Sequence, residues 1–447
     1  MTRSNNHVAL AASLLASLGL AACSPSESST GDTSSTSDPG VTTADVTFEA
    51  GPFTIESGAD ETYCTYVRAD SDSDQDITAF LTEQSKGGHH LIVYTIDHPV
   101  DLAPHKCSQG GQPSWTQVLA TQIEKEDIAF PEGVGFRVKA HQQYVMETHF
   151  INTTAAPLDI TAQFGLVYGK PGVVKERAAT YFFGTMNIDI GPNETVSKTA
   201  ECHPPIPMNV HTMFGHQHRM GKTLEVFRGP DAKASQIYES TDWEYPGTTD
   251  FGESLSLTPD DVLRVQCDWS NTSPNRLRYP HEMCYAIGYF WPADHGVFCA
   301  TGGADDTTCQ CQEQGALDTG PGGSAVKITL TRKAEIQGAK GALDDGAPIY
   351  CALYRAEDYT AFGPKKGAQP YYFRDAVDVK LKTDTDVAEF DVEDVTPGDY
   401  AVSCVMDTIG GGFIPGKGDV ANMTAPKVSL TQGQTAHVDV KLDFAIP

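Results

Sequence analysis

The chain has 447 residues, which is enough for two to four domains with large buried cores. Acidic residues outnumber basic residues by 59 to 31, which gives a net charge of −28. Proteins that bind nucleic acid are usually basic, so this charge argues against a nucleic-acid partner and is compatible with a soluble, secreted surface.

The first 22 residues have the form of a signal peptide. An apolar run over residues 8–22 follows Arg3, and it is too short to span a bilayer. The run ends in Leu, Ala and Ala directly before Cys23, which resembles a bacterial lipobox and implies lipidation of Cys23. Ordinary cleavage at a nearby small residue is the alternative. Ser24 follows the cysteine and favours the outer membrane, so the sequence predicts export and a lipid anchor in the cell envelope.

Residues 23–45 are rich in Ser, Thr, Asp, Gly and Pro and have almost no large apolar side chains. They cannot bury a core, which predicts a disordered tether. From about residue 46, short stretches of alternating apolar and polar residues are separated by Gly, Pro and Asn, and helical periodicity is scarce. This pattern predicts an all-β protein.

The strand patterns divide the chain into three predicted β-sandwiches. Residues 46–172 form the first, with a boundary near 169–172, and residues 173–301 form the second. Residues 302–325 are rich in Gly, Asp and Gln and are interpreted as a linker. Residues 326–447 alternate again and form a third sandwich, in which no catalytic set is found. Its predicted core faces include Val326, Ile328 and Leu330.

The strongest candidate for a metal site is the pair His216-Gln217-His218. Residues two apart in a β-strand point to the same face, so both imidazoles can reach one ion. Surface pairs of this kind also occur by chance. Phe214 lies two residues earlier on the same predicted face.

A second candidate group is His89-His90, with His149 on a later predicted strand. Adjacent residues in an ideal strand point to opposite faces, so the backbone must twist or begin its strand there for both histidines to share an ion. Gly87 and Gly88 supply that freedom. Taken alone, this pair is better explained by a structural or surface role.

Met283 helps to distinguish copper from zinc as the predicted metal. A thioether is a soft, weak ligand that suits Cu(I) far better than zinc. A zinc site with three histidines is the usual rival, and a lone methionine is more often a core residue. Spacing along the sequence does not decide between these interpretations.

Taken together, these motifs resemble the copper type II, ascorbate-dependent monooxygenases, which include peptidylglycine α-hydroxylating monooxygenase and dopamine β-monooxygenase. The resemblance covers roughly residues 46–301, and the matching stretches follow the order of that family. They are His89-His90 before an apolar strand, residues 131–138, residues 144–149, the stretch from Pro207 through His216-Gln217-His218 to Lys222, and Glu282-Met283-Cys284.

The resemblance implies two β-sandwich domains that carry one copper ion each and face each other across a solvent-filled cleft. One copper would transfer electrons, and the other would bind O2 and abstract hydrogen from the substrate. Ascorbate or another one-electron reductant would be the electron donor. The electron-transfer ligands would be His89, His90 and His149, and the catalytic ligands would be His216, His218 and Met283.

The cysteines support this resemblance. Apart from Cys23 there are ten, an even number, and an exported protein is expected to form disulfides. The expected pairs are Cys64 with Cys107, Cys202 with Cys299, Cys267 with Cys284, and Cys351 with Cys404 in the third sandwich. Cys309 and Cys311 have no assigned partner, and a bond between them is one option.

The chain also departs from the family's pattern near the predicted substrate. Phe214 stands where the peptide-hydroxylating enzyme has a basic residue that holds a peptide carboxylate, and Tyr285 and Ile287 stand where it has a polar pair. An apolar or aromatic small molecule is therefore expected as substrate. Arg219 and Lys222 are the alternative source of charge. A family glutamine is replaced by Glu147, for which a solvent-facing position is preferred over an effect on the first copper's potential.

The sequence therefore predicts an exported, lipid-anchored copper monooxygenase that hydroxylates a C–H bond of a small organic molecule with O2 and an external reductant. Two alternatives remain open. In the first, the same ligands hold copper for storage or delivery without turnover. In the second, the protein functions in adhesion or assembly, chiefly through its third sandwich.

Overall fold

The computed structural model describes residues 43–447 with short gaps. The gaps are residues 97–101, 108–110, 113–114, 230–233, 303–305, 315–321, 342, 344–346, 362, 366–367, 369, 376–380 and 413–414. The predicted signal peptide, the lipidation site Cys23 and nearly all of the predicted tether lie outside the described residues.

The described chain is all-β, which confirms the fold class predicted from the alternating patterns. A short 3-10 helix spans Ala356–Asp358, and no α-helix occurs among the described residues. Within this part of the chain, no helix has the length and apolar character needed to cross a membrane.

The first strands of the chain form two sheets around one core. In chain order they are β1 (Val46–Ile55), β2 (Asp60–Arg68), β3 (Gln75–Gln84), β4 (Gly88–Ile96), β5 (His105–Lys106), β6 (Thr116–Thr121), β7 (Lys125–Ala129), β8 (Val134–Val138), β9 (Gln143–Ile151), β10 (Leu158–Tyr168) and β11 (Glu176–Arg177). One sheet has the order β1-β10-β3-β8-β11 with β7 paired to β3, and the other has the order β5-β2-β9-β4-β6. Leu91, Val93 and Met146 from the second sheet pack with Phe80 and Phe164 from the first.

The next strands form the second sandwich. They are β12 (Ala179–Thr185), β13 (Asp189–Ile190), β14 (Thr195–Cys202), β15 (Met208–His216), β16 (Gly221–Arg228), β17 (Ser235–Ser240), β18 (Thr248–Leu257), β19 (Leu263–Ser270), β20 (Leu277–Arg278), β21 (Tyr285–Trp291), β22 (Gly296–Thr301) and β23 (Gln310–Gln314). The sheet β18-β15-β21-β12-β22-β23 faces the sheet β14-β19-β16-β17, and β13 pairs with β20. Met213, Leu224, Trp269 and Phe290 lie in the core between the sheets.

The last strands form the C-terminal sandwich. They are β24 (Ser324–Arg332), β25 (Ile349–Arg355), β26 (Tyr359–Thr360), β27 (Gly363–Pro364), β28 (Tyr372–Asp375), β29 (Ala388–Val395), β30 (Gly398–Met406), β31 (Val420–Ala421), β32 (Lys427–Leu430), β33 (Thr435–Leu442) and β34 (Phe444–Ala445). The sheet β29-β24-β33 packs on the sheet β28-β25-β30-β31-β34, in which β32 pairs with β30, and β26 pairs with β27. Val326, Ile328 and Leu330 lie in their shared core, as their alternation predicts.

Five disulfides link the ten described cysteines, and three of them have the expected partners. Cys64 bonds Cys107, Cys267 bonds Cys284, and Cys351 bonds Cys404.

The fourth expected pairing, Cys202 with Cys299, is wrong, and Cys309 and Cys311 do not bond to each other. Cys202 bonds Cys309, and Cys299 bonds Cys311. The reason is strand β23, which lies within the segment interpreted as a linker and pairs antiparallel with β22, so that Cys311 lies directly opposite Cys299. A β-bridge between Glu201 and Thr308 brings the adjacent Cys309 to Cys202.

Candidate metal centre and adjoining cavity

The first histidine group lies on two neighbouring strands. His89 and His90 lie at the start of β4, and His149 on β9 lies directly opposite His90, where the ring centroids are 4.8 Å apart. A register shift between Gly88 and His90 interrupts the regular alternation. Gly87, with a φ of +95°, provides the turn before it. The centroids of the His89 and His90 rings are 5.6 Å apart, so the backbone irregularity brings two consecutive histidines together.

The second histidine group lies at the end of β15. Met213 on this strand points into the core of the second sandwich, whereas Phe214 belongs to a different apolar cluster on the opposite side of the sheet. His216 ends the strand, and His218 follows in the connecting loop with a ring centroid 5.1 Å from that of His216. The two rings are close together, as predicted, but His218 lies beyond the end of the strand, so the alternation of side chains along β15 is not what places it.

The two groups converge, which differs from the expected pair of sites across a solvent-filled cleft. The ring centroid of His89 lies 5.2 Å from that of His216 and 4.9 Å from that of His218. We call His89, His90, His149, His216 and His218 the five-histidine cluster. It contains two sets of three whose ligand atoms lie within 4.8 Å of one another, and His89 belongs to both sets.

Direct packing of the first two sandwiches explains the convergence. The backbone N–H of Ala120 donates to the Tyr289 hydroxyl at 3.3 Å. The side chain of Gln122 donates to the Trp243 carbonyl and accepts from Nδ1 of His216. These contacts lie between elements far apart in sequence, so strand patterns do not predict how closely the two histidine groups approach.

Hydrogen bonds from outside the cluster orient three of the rings. Nε2 of His149 lies 2.5 Å from Oδ1 of Asp60, and Nδ1 of His216 lies 2.5 Å from Oε1 of Gln122. Nδ1 of His218 lies 3.2 Å from the His281 carbonyl oxygen. In each pair the ring N–H donates, which leaves the other ring nitrogen as an acceptor or metal ligand. Sequence reasoning missed Asp60 and Gln122, because nothing in their local sequence marks them.

The chemistry of the cluster fits a metal ion. Both ring nitrogens of His89 and of His90, and Nε2 of His218, are buried without a hydrogen-bond partner. A buried polar atom without a partner is costly, and most such atoms in proteins are bonded. Coordination of a metal ion would give each of these rings a partner for one of its nitrogen atoms.

Burial also keeps the histidines in the protonation state that a metal requires. It lowers the pKa of His90 and places the pKa of His89 and of His216 well below the ordinary value. Burial and then the neighbouring His149 lower the pKa of His218 from 6.5 to about 3. The rings are therefore neutral at physiological pH, so a metal does not have to displace protons from them.

These shifts predict the pH dependence of the metal-free protein. The unfolded state takes up protons on these histidines below pH 6.5, whereas the folded state does so only near the lowered pKa, about 3 for His218. The free energy of unfolding should fall as the pH drops below 6.5, by up to about 1.4 kcal/mol per pH unit for each histidine. Denaturant unfolding across this interval measures the slope, and metal-free His218→Gln should have a shallower one. Equal slopes for the two proteins would contradict the assignment.

Met283 lies in the apolar cluster that contains Phe214. It is 7% exposed and packs in an apolar cluster with Phe214, Tyr285 and Ile287. It lines the same cavity as His216. The Cys267–Cys284 disulfide anchors the adjacent residue.

Glu282 ties the His218 loop to the Met283 segment. Its carboxylate accepts hydrogen bonds from the backbone N–H of His218 at 3.2 Å and of Met220 at 2.8 Å, and from the Trp269 indole at 3.0 Å. Sequence reasoning included this residue in a family motif but gave it no role. Its position directly before Met283 is the sequence feature that could have indicated a role at the site.

Replacing Glu282 tests this link. Glu282→Ala removes the acceptor of three buried donors, and each orphaned donor costs about 1–3 kcal/mol, so the free energy of unfolding should fall by about 3 kcal/mol or more. Glu282→Gln keeps one acceptor oxygen and should lose less. Chemical denaturation with the disulfides intact gives both values. If the alanine and wild-type proteins have equal stability, the carboxylate does not hold this loop.

The prediction that Glu147 faces solvent is wrong. Its side chain is 0% exposed, and Oε1 lies 3.8 Å from Nε2 of His90. The other oxygen accepts from the Tyr94 hydroxyl at 3.4 Å and from the Gly111 backbone N–H at 3.0 Å. Both faces of β9 are covered, because Met146 lies in the core of the first sandwich and the opposite face, which carries Val145 and Glu147, packs against Tyr94 and Trp115. A carboxylate therefore lies directly beside the first histidine group.

A cavity of about 500 Å³ adjoins the cluster. His90 and His216 lie on its wall, together with all three predicted substrate-contacting residues, Phe214, Tyr285 and Ile287. On the paired strands β15 and β21, Phe214 lies opposite Ile287 and His216 lies opposite Tyr285. The alternative charged residues Arg219 and Lys222 are exposed and do not line this cavity.

A comparison with known protein families finds no family model that matches this sequence. A comparison with curated proteins finds no matching relative.

Proposed function

We propose that this chain is a copper-dependent monooxygenase that hydroxylates a C–H bond of a small organic substrate with O2 and an external reductant. The observation that carries the proposal is the position of the buried five-histidine cluster at the edge of an apolar cavity whose wall also contains Met283. Imidazole and thioether together favour copper over zinc, because a thioether suits Cu(I).

The overall reaction balances with a reductant of the class expected from the sequence. One oxygen atom of O2 enters the C–H bond to form an alcohol, and the other leaves as water. Ascorbate or another one-electron reductant supplies the two electrons, and two protons are consumed. Copper, when bound, supplies the one-electron redox chemistry toward O2. The residues that would hold it are the five-histidine cluster and Met283.

The protein's own part is to hold the ligands and to bind the substrate. Asp60, Gln122 and the His281 carbonyl keep their histidine rings in one orientation. Phe214 and Ile287 give the substrate an apolar surface beside the ligands and exclude water. A substrate bound in this cavity would share one small volume with the metal ligands, so that its C–H bond would lie next to the ligand set.

The test is oxygen uptake by the copper-loaded protein. With ascorbate and a set of phenylalkyl compounds, we expect oxygen consumption that depends on the organic compound and an alcohol product that matches it in amount. Zinc-loaded protein is the control, since zinc has no redox chemistry. Tight binding of one zinc ion with no uptake of copper would refute the proposal.

Copper storage or delivery is the alternative, and the nearly complete burial of all five histidine rings favours it. The same experiment separates the two functions. A store or carrier binds Cu(I) and releases it to a chelator without compound-dependent oxygen use, whereas an oxygenase consumes oxygen only when its substrate is present.

We also propose that the protein is exported and attached to the cell envelope through lipidated Cys23, as the signal-like start of the sequence suggests. The five disulfides are compatible with an oxidising compartment. Mass spectrometry of the mature N-terminus and the fractionation of a Cys23→Ala variant test this.

A further inference from the structure

The outward face of strand β25 in the C-terminal sandwich is apolar. On β25, Cys351 and Leu353 point into the sandwich's own core. The alternate positions Tyr350, Ala352 and Tyr354 point away from it, and a strand at the protein surface would carry polar residues there. An apolar outward face indicates that this sheet covers something.

What this face covers is the cavity beside the five-histidine cluster. Tyr350, Ala352 and Tyr354 line the cavity, and so do Val405 on the paired strand β30 and Phe373 on β28. The first sandwich contributes Ile92 and Tyr94, and the second contributes the Phe214 wall. The cavity is therefore enclosed by three sandwiches, and the C-terminal one carries none of the candidate metal ligands.

Hydrogen bonds hold the C-terminal sandwich to both of the others. Gln112 of the first sandwich donates to the Phe373 carbonyl and accepts from the Phe373 N–H, each at 3.2 Å. The Tyr350 hydroxyl donates to the Tyr279 carbonyl at 2.9 Å, and the buried Arg278 guanidinium donates to the Thr408 carbonyl at 3.3 Å. These bonds fix the sheet over the cavity from two sides.

The lining also indicates the ligand's charge. None of the described residues that line the cavity is Lys or Arg. Two carboxylates belong to the lining: Glu147 already accepts two hydrogen bonds and lies beside His90, and Glu313 is exposed to solvent. An anionic ligand would lose its hydration with no partner, which is costly. Aromatic and aliphatic side chains from all three sandwiches suit a neutral aromatic compound.

We infer that the C-terminal sandwich is the substrate-selecting wall of the cavity, and that Tyr350, Ala352, Tyr354 and Val405 set the size of the neutral aromatic compound that it admits. This inference rests on the proposed function in that it takes the cavity as the substrate site. It gives the third sandwich a role that does not involve metal binding.

The experiment changes the wall and measures binding in the full-length, copper-loaded protein. Ala352→Trp and Val405→Trp fill the cavity from the C-terminal side, and Tyr354→Ala enlarges it. Thr329→Trp, on the outer face of the other sheet of the same sandwich, is the matched control. Calorimetry with benzyl alcohol and with 4-phenylbutan-1-ol gives the affinities for a short and a long probe, and copper content is measured in parallel.

We expect the two filling variants to keep their copper and to lose about tenfold or more in affinity for the longer probe, with a smaller loss for the shorter one. Tyr354→Ala should bind the longer probe more tightly than the wild type does, and Thr329→Trp should match the wild type. Because Tyr354→Ala creates space, it also tests the inference if a filling variant does not fold.

The inference is overturned if the filling and enlarging variants bind both probes as the wild type does, or if the wild type binds neither probe. A failure of the proposed function looks different. In that case the wild type binds copper and the probes, and the wall variants shift probe affinity, but no compound-dependent oxygen uptake occurs.

Discussion

The substitution His89→Ala is expected to lower copper binding at both histidine sets. His89 is common to the two groups of three ligand atoms, and its ring lies about equally close to His149 and His216. Removing one of a few ligands that share the binding free energy should weaken the affinity by about a hundredfold. Copper content after dialysis against a chelator series measures the loss.

The matched control for this change is His211→Ala. His211 is a buried histidine on β15, the same strand as His216, but its Nε2 lies 3.1 Å from the Ala129 carbonyl oxygen and it belongs to neither ligand group. Its copper content should equal that of the wild type. If His89→Ala keeps one copper with wild-type affinity, the two sets act as separate sites in solution and the shared role of His89 is refuted.

The substitution Met283→Ile is expected to abolish hydroxylation and leave the fold intact. Isoleucine keeps the volume and apolar character that the cluster with Phe214 and Tyr285 requires, so the stability should change by less than about 1.5 kcal/mol. Loss of the thioether should weaken Cu(I) binding more than Cu(II) binding. Turnover should fall by about a hundredfold or more, which corresponds to roughly 2.7 kcal/mol in the activation free energy.

Competition with a Cu(I)-specific chelator and product analysis measure the two effects. Met186→Ile is a close control, because Met186 is a buried methionine in the same apolar cluster. It should keep both Cu(I) affinity and turnover. A Met283→Ile protein as active as the wild type would rule out a ligand role for this methionine.

Much of the local structure follows from the sequence alone. Val326, Ile328 and Leu330 alternate and all lie in one core, because a strand with one buried face places every second side chain inside. The same rule places Phe214 and His216 together on β15 and Tyr285 and Ile287 together on β21. Gly87 predicts the irregular backbone that brings His89 to His90, because glycine tolerates the positive φ found there.

Other features depend on contacts that no local pattern encodes. The pairing of Cys202 with Cys309 depends on how β23 adds to the edge of its sheet, in a segment whose composition suggests a linker. Glu147 is buried because Tyr94 and the segment around Gly111 cover its face of β9, although a charged residue in a strand normally predicts an exposed position.

The amino-acid sequence by itself determines the all-β class, the strand faces and the identity of the candidate ligands, because these depend on periodicity over a few residues and on side-chain chemistry. Only the tertiary structure decides that His89 approaches His216 and that Tyr350 and Val405 enclose the cavity. Both depend on how separate sandwiches pack against one another. That packing depends on shape and on hydrogen bonds between residues far apart in the chain, such as Gln122 with His216 and Gln112 with Phe373. The local sequence around these residues does not predict that they pair.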